Sequence, residues 1–248
     1  MLLIDIGNTC LKWTTGTVGE WTQQHTCFHK PIENKHELFN QLWRDLPRPA
    51  EVWVANVAGE KIAEELNNWT QQHWQLSANF VQTARKYGDI YNDYDMPEQL
   101  GIDRWLAVIA ARHLHPIGQL CVIDCGTAIT VDVLTQNNHY AGGLIVPGNV
   151  TMQQTLLEQT DALAGLFQQP DTLPKLLATN TTDGIRWGCS HATVGFVYYI
   201  WDRLQQDVEV TLLLTGGGVD ELLPLLPCNG HYVPELVLLG LSIVAKSK

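Results

Sequence analysis

Two short apolar runs, each delivering an aspartate to a glycine turn, organise the pattern of hydrophobic and polar positions along this chain. Leu3-Ile4-Asp5-Ile6-Gly7-Asn8-Thr9 stands near its start, and Val122-Ile123-Asp124-Cys125-Gly126-Thr127-Ala128 repeats the theme 119 positions later. Around the first run the pattern predicts strands at 1–5, 10–16 and near 21–28. A helix over 35–46 follows, with Asn34 as N-cap and Leu38, Leu42 and Leu46 on one face. Next come a strand at 51–55, a helix at 60–70 and a strand at 79–82. Residues 83–99, with their tyrosines and Pro97, read as a loop leading into a helix at 102–114.

The second half repeats the opening, with strands at 119–124, 129–135 and 139–146. Helices are predicted at 150–163, near 172–178 and at 183–205, then a strand at 210–214 and a closing helix at 236–246. Three strands followed by alternating helices and strands, twice over, predict two α/β domains of the same topology, 1–117 and 118–248. The paired motifs place a cleft between duplicated halves. A buried strand that carries a carboxylate to a glycine turn suits phosphates and their metal ions, so phosphoryl transfer is the chemistry expected.

Composition narrows the class. Hydrophobic residues at 45% supply a core, and a formal charge of -11 argues against a nucleic-acid backbone as partner. Six cysteines show no C-x-x-C pair and no zinc spacing, and read as buried reduced thiols. No basic leader precedes the first apolar run, and the longest apolar stretch falls short of a membrane span. A soluble cytoplasmic protein is expected.

The motifs carry the chemistry. In the first turn Gly7 lets the backbone approach an anion, Asn8 and Thr9 add donors, Lys12 adds a cation, and Asp5 is placed to hold Mg²⁺. This is not a Walker loop, and an ordinary β-turn is the bland alternative. Asp124, Gly126, Thr127 and Asp132 form the second copy, and recurrence at the same place in both halves favours a paired phosphate and cation site. Asp103, in Gly101-Ile102-Asp103-Arg104, is either a first-turn carboxylate favoured by the helix dipole or a general base for an attacking hydroxyl. Arg104 is able to bind an anion bidentately or to pair with an acidic neighbour. Gly216-Gly217-Gly218 suits a flat ligand such as adenine, or a flexible turn. His113 and His115 read as a helix end, Ser190-His191 lacks a nucleophile elbow, and Trp105, Trp187 and Trp201 read as core or interface.

Four motifs in order then resemble the type III pantothenate kinases, of the acetate kinase, sugar kinase, Hsp70 and actin superfold. They are D-x-G-N-T-x-x-K at 5–12, G-x-D-R at 101–104, D-x-G-T-A-x-T-x-D at 124–132 and G-G-x-I-x-P-G at 142–148. The resemblance implies two ribonuclease-H-like domains with mixed central sheets and a homodimer built on second-half helices. It also implies ATP-dependent phosphorylation of the primary hydroxyl of pantothenate to 4′-phosphopantothenate, the first step of coenzyme A biosynthesis. Carried over residue by residue, Asp5, Ile6, Gly7, Asn8, Thr9, Cys10, Leu11 and Lys12 become the first ATP-phosphate loop and Thr127 part of the second. Asp103 becomes the proton acceptor, and Asp124 the ligand of a monovalent cation (potassium or ammonium) required beside Mg²⁺. Tyr94, Gly101, Ile102, Asp103, Arg104 and Thr181 become the pantothenate pocket, while Gly184 stands where the family usually has Ala. A sugar or acetate kinase of the same superfold is one rival. A nucleotide-binding regulator without activity is another, and its mark would be loss of Asp5, Lys12 or Asp103, all of which are present.

Overall fold

The computed structural model describes residues 1–17, 20–159, 174–206, 208–226 and 230–247. It divides into two compact units, one of Met1–Pro116, Asn138–Tyr140 and Glu235–Lys248, the other of Ile117–Asn137 and Ala141–Pro234. The bounds expected from sequence, 1–117 and 118–248, differ chiefly in where the closing helix falls. Its apolar residues are buried within the first unit.

The first unit begins with β1 (Leu2–Ile6), β2 (Cys10–Thr17), β3 (Glu20–Trp21) and β4 (His25–Phe28), then α1 (Lys35–Trp43), β5 (Val52–Asn56), α2 (Glu60–Trp74) and β6 (Asn79–Phe80). Its sheet runs β3-β2-β1-β5-β6, with β4 also on β2. β1 is central, antiparallel to β2 and parallel to β5. All five of its residues are buried, which is why they read as an apolar run and not as an alternation. Leu2, Ile4 and Ile6 join Leu38, Phe39, Trp43, Leu66 and Trp69 in one core. Phe39 stacks on Trp43 at 5.3 Å and Trp43 meets Trp69 edge-on at 5.9 Å. The predicted Leu38, Leu42 and Leu46 pack on the same core, but α1 ends at Trp43 because Leu46 precedes Pro47 and is disfavoured in a helix.

The segment read as a loop instead holds β7 (Lys86–Tyr87), β8 (Ile90–Asn92) and a 3₁₀ turn at Pro97–Gln99. Its order comes from non-local bonds. Buried Asn92 donates to Ala84 and Pro97 carbonyls and accepts from the Tyr94 amide, and residues 91–92 pair with His139 and Tyr140. α3 (Ile102–Leu114) follows as predicted.

The second unit holds β9 (Gln119–Cys125), β10 (Ala128–Leu134), most of β11 (His139–Pro147), α4 (Asn149–Glu158), α5 (Thr181–Leu204), β12 (Val210–Thr215), the single turn α6 (Val219–Leu222) and β13 (His231–Tyr232). Its strands run β13-β12-β9-β10-β11, with β9 antiparallel to β10 and parallel to β12. Both units therefore build the same mixed sheet on a central first strand. Of the helices predicted at 150–163 and 172–178, residues 160–173 lie outside the described residues, and 174–178 are not helical. Among the described residues no helix is long and apolar enough to cross a membrane.

α7 (Leu236–Lys246) closes the first unit against α3. At their crossing a Cβ on Gly240 would collide with the Leu106 carbonyl, so the two backbones touch as only glycine permits. Replacing Gly240 by Ala is expected to cost roughly 1–3 kcal/mol, read as a lower urea midpoint. An unchanged midpoint would show that the crossing is looser than described.

Candidate active site

The first turn is built by strand register. β1 and β2 place Lys12 directly opposite Asp5, on one face of the sheet, and Leu11 opposite Ile6. The Gly7 amide then donates to the Cys10 carbonyl at 3.0 Å, closing the hairpin with Asn8 and Thr9 at its tip. Asp5 is buried at 8% exposure, whereas Asn8 is exposed. The Gly7 carbonyl accepts a hydrogen bond from Nε2 of His29 at 2.7 Å, a partner that nothing local in the sequence signals. Burial, the main cause, pushes the Cys10 thiol up despite the pull of Lys12, so Cys10 contributes backbone here and not a thiolate.

The second turn sits at the same place on β9, but one residue shorter. Cys125 pairs with Ile129, and Asp124 lies opposite Thr130 of β10 and Thr215 of β12. The carboxylate that faces a lysine in the first unit thus faces hydroxyl residues in the second. The Thr127 carbonyl accepts from the Gly148 amide at 2.9 Å and from the Thr151 hydroxyl at 2.7 Å, which gives the Pro147-Gly148 turn a structural role. Gly216 has φ +92°, and a side chain there would collide with the Asp124 carboxylate and lie 2.5 Å from the Cys125 carbonyl. The Gly218 amide donates to that carbonyl at 2.8 Å. Two of the three glycines therefore pack on the end of β9, and Gly217 remains exposed. Burial pushes the Cys125 thiol up to about 12, with Asp124 adding to the effect.

Asp103 and Arg104 sit in the first turn of α3. Asp103 Oδ1 accepts from the Arg104 amide at 2.8 Å, and a Cβ on Gly101 would lie 2.5 Å from that same oxygen. The space that glycine leaves is the space the carboxylate uses. Arg104 is buried, and its guanidinium donates to the Tyr94 hydroxyl at 3.2 Å and the Tyr140 hydroxyl at 3.0 Å. Arg85 fixes the loop that carries Tyr94 by donating to the Tyr94 and Asp95 carbonyls at 2.8 and 3.2 Å. The structure thus gathers Tyr94, Gly101, Asp103 and Arg104, and adds Tyr140, which sequence reasoning missed because only the pairing of β11 with β8 brings it in. Ile102 is buried under the turn. Thr181 stands in the second unit, exposed at the first position of α5, where Asn180 caps the helix by accepting from the Asp183 amide at 2.9 Å.

Two copies of one mixed sheet, each ending its central strand in an acidic glycine turn, make the duplicated α/β fold of a phosphate-handling enzyme class expected from the sequence. A putative 2-dehydro-3-deoxygalactonokinase from Sinorhizobium meliloti shares that fold at TM-score 0.64 and 16% identity, over 99% of this chain and 96% of the other. The activator of 2-hydroxyisocaproyl-CoA dehydratase from Clostridium difficile, solved with bound ADPNP, shares it at TM-score 0.54 and 12% identity, over 100% and 94%. A family profile described as type III pantothenate kinase matches residues 1–203. The type III pantothenate kinase of Nitrosococcus oceani is 38% identical over 99% of this chain and 94% of its own. The chain belongs to the type III pantothenate kinase family.

Because Asp103 is the flexible end of the collision with a residue-101 side chain, Gly101→Ala is expected to spare the fold and move the carboxylate. Turnover should fall up to about 10²-fold, with a thermal midpoint close to wild type. Full turnover in that variant would show that the carboxylate's position is not critical.

Proposed function

We propose that the turn formed by residues 5–12 receives the triphosphate of ATP while Asp103 and Arg104 serve the second substrate. The enzyme phosphorylates the primary hydroxyl of pantothenate to give 4′-phosphopantothenate, the first step of coenzyme A biosynthesis. The observation that carries this reading is the Asp103 carboxylate over Gly101, beside an arginine fixed by two tyrosines. A loose phosphoryl-transfer transition state asks for in-line positioning and charge neutralisation. Lys12 and the amides around Asn8 supply positive charge to the phosphates. Arg104 binds the pantothenate carboxylate, with Tyr94, Gly101 and Ile102 lining its pocket. Asp103 takes the proton of the attacking hydroxyl as the new P–O bond forms and the bond to the ADP oxygen breaks.

Among the described residues no group of three or more His, Cys, Asp or Glu side chains is placed to hold a metal. That fits Mg²⁺ drawing its ligands from a single carboxylate, Asp5, and from the nucleotide phosphates. Bound there, it would neutralise phosphate charge. A potassium or ammonium ion fits the Asp124 carboxylate, with the Cys125 carbonyl oxygen close by around Gly216. Exposed Tyr199 on α5 and Ile145 on β11, at 62% and 61% exposure, support a homodimer. The cytoplasm is the compartment that supplies both substrates.

Asp103→Asn should keep the fold and lower kcat by about 10²–10⁴-fold while changing KM far less; unchanged turnover removes Asp103 from the mechanism. Asp124→Asn should lose the stimulation of activity by potassium. A variant that still responds to potassium as wild type does would place the cation elsewhere. Phosphorylation of sugars but not of pantothenate by the pure protein would overturn the substrate assignment.

A further inference from the structure

The turn assigned to the phosphates is held from one side by a residue that the mechanism above does not use. His29 follows β4 and is buried at 3% exposure. Its Nε2 lies 2.7 Å from the Gly7 carbonyl; since a carbonyl only accepts, Nε2 carries the proton. The backbone amides of His29 and Lys30 both donate to the Thr9 carbonyl, at 3.0 and 3.4 Å. The Lys35 ammonium donates to the carbonyls of His29 and Ile32, fixing the backbone that carries the ring. His29 Nδ1 is buried without a hydrogen-bond partner, so a second proton there would find no acceptor. Burial, as the main cause, and the charge of Lys35 hold the imidazole below its ordinary pKa, against the opposing pull of the Gly7 bond. The ring is a neutral donor of fixed tautomer.

The consequence follows from peptide geometry. In a planar trans peptide the C=O of one residue and the N–H of the next point in opposite directions. Turning the Gly7 carbonyl toward His29 therefore directs the Asn8 amide away from it, at the exposed tip of the turn. Turning the Thr9 carbonyl toward residues 29–30 does the same for the Cys10 amide. A backbone concavity binds an anion only while its N–H groups are held in such orientations. Free to rotate, the Gly7-Asn8 peptide could present its carbonyl to the anion instead.

We propose that His29 is a positioning residue for ATP, its Nε2–H locking the Gly7-Asn8 peptide so that the Asn8 amide faces the nucleotide's phosphates. This rests on the reading of residues 5–12 as the phosphate turn, and the variants below separate the two.

Steady-state kinetics of the full chain would compare His29→Leu, which fills the space without a donor, with His29→Gln, which restores a donor, and with Lys12→Ala. His29→Leu should raise KM for ATP about tenfold, as expected when a buried carbonyl loses its donor, and leave KM for pantothenate within about twofold. His29→Gln should recover most of the ATP affinity. Wild-type ATP kinetics in His29→Leu, or equal losses in the Leu and Gln variants, would overturn the proposal. Wild-type ATP kinetics in Lys12→Ala would instead overturn the phosphate-turn reading itself. Should His29→Leu not fold, ¹⁵N-histidine NMR of the wild type decides. A neutral Nε2–H tautomer whose resonance shifts with ATP but not with pantothenate is expected; an Nδ1–H tautomer, or no shift with ATP, would overturn the proposal.

Discussion

The constraint on which the rest depends is that β1 and β9 are each hydrogen-bonded on both sides, antiparallel to the next strand and parallel to a later one. A strand so enclosed has no free edge, and the apolar residues of both strands are buried on both faces of their sheets. The polar group it carries is therefore delivered at its end, where the hairpin leaves the sheet. Asp5 and Asp124 occupy that position, one residue before the last paired residue of each strand. Ligands of α/β sheets gather at the carboxyl ends of strands for the same reason. The two copies differ in what faces the carboxylate: a lysine across β1, threonines across β9. On that difference rests the proposal that the first turn takes phosphate and divalent charge and the second a monovalent cation.

Precision at the first turn of α3 comes from a different source. α3 is buried along almost its whole length and clasped by α7 through Gly240. Its first turn is therefore a rigid platform for Asp103 and Arg104. A buried guanidinium needs partners for its donors, and Tyr94 and Tyr140 supply two hydroxyls. The tyrosines orient the arginine at the start of α3.

The sequence made legible whatever depends on local pattern. The enclosed strands β1 and β9 showed as apolar runs, the Asn34 cap appears where its side chain accepts from the Glu37 amide, and α3 and α7 match their predicted bounds. The acidic turns were visible because each packs its chemistry into a few adjacent residues. What was hidden depends on pairings across long stretches of chain. Tyr140 meets Arg104, 36 residues away, only because β11 pairs with β8. His29 reaches Gly7 across 22 residues, and β7 and β8 owe their order to Asn92 and β11, not to any propensity of their own. The close packing of Gly216 and Gly218 against the end of β9 was likewise hidden.

The most direct test of this view is a crystal structure of the protein with Mg²⁺ and a non-hydrolysable ATP analogue. Phosphate oxygens within about 3 Å of the backbone amides at the tip of the first turn, with Lys12 turned toward them, are the expected result. A triphosphate bound away from residues 5–12 would contradict the assignment of the acidic turn to phosphate binding, and with it the mechanism built on that turn.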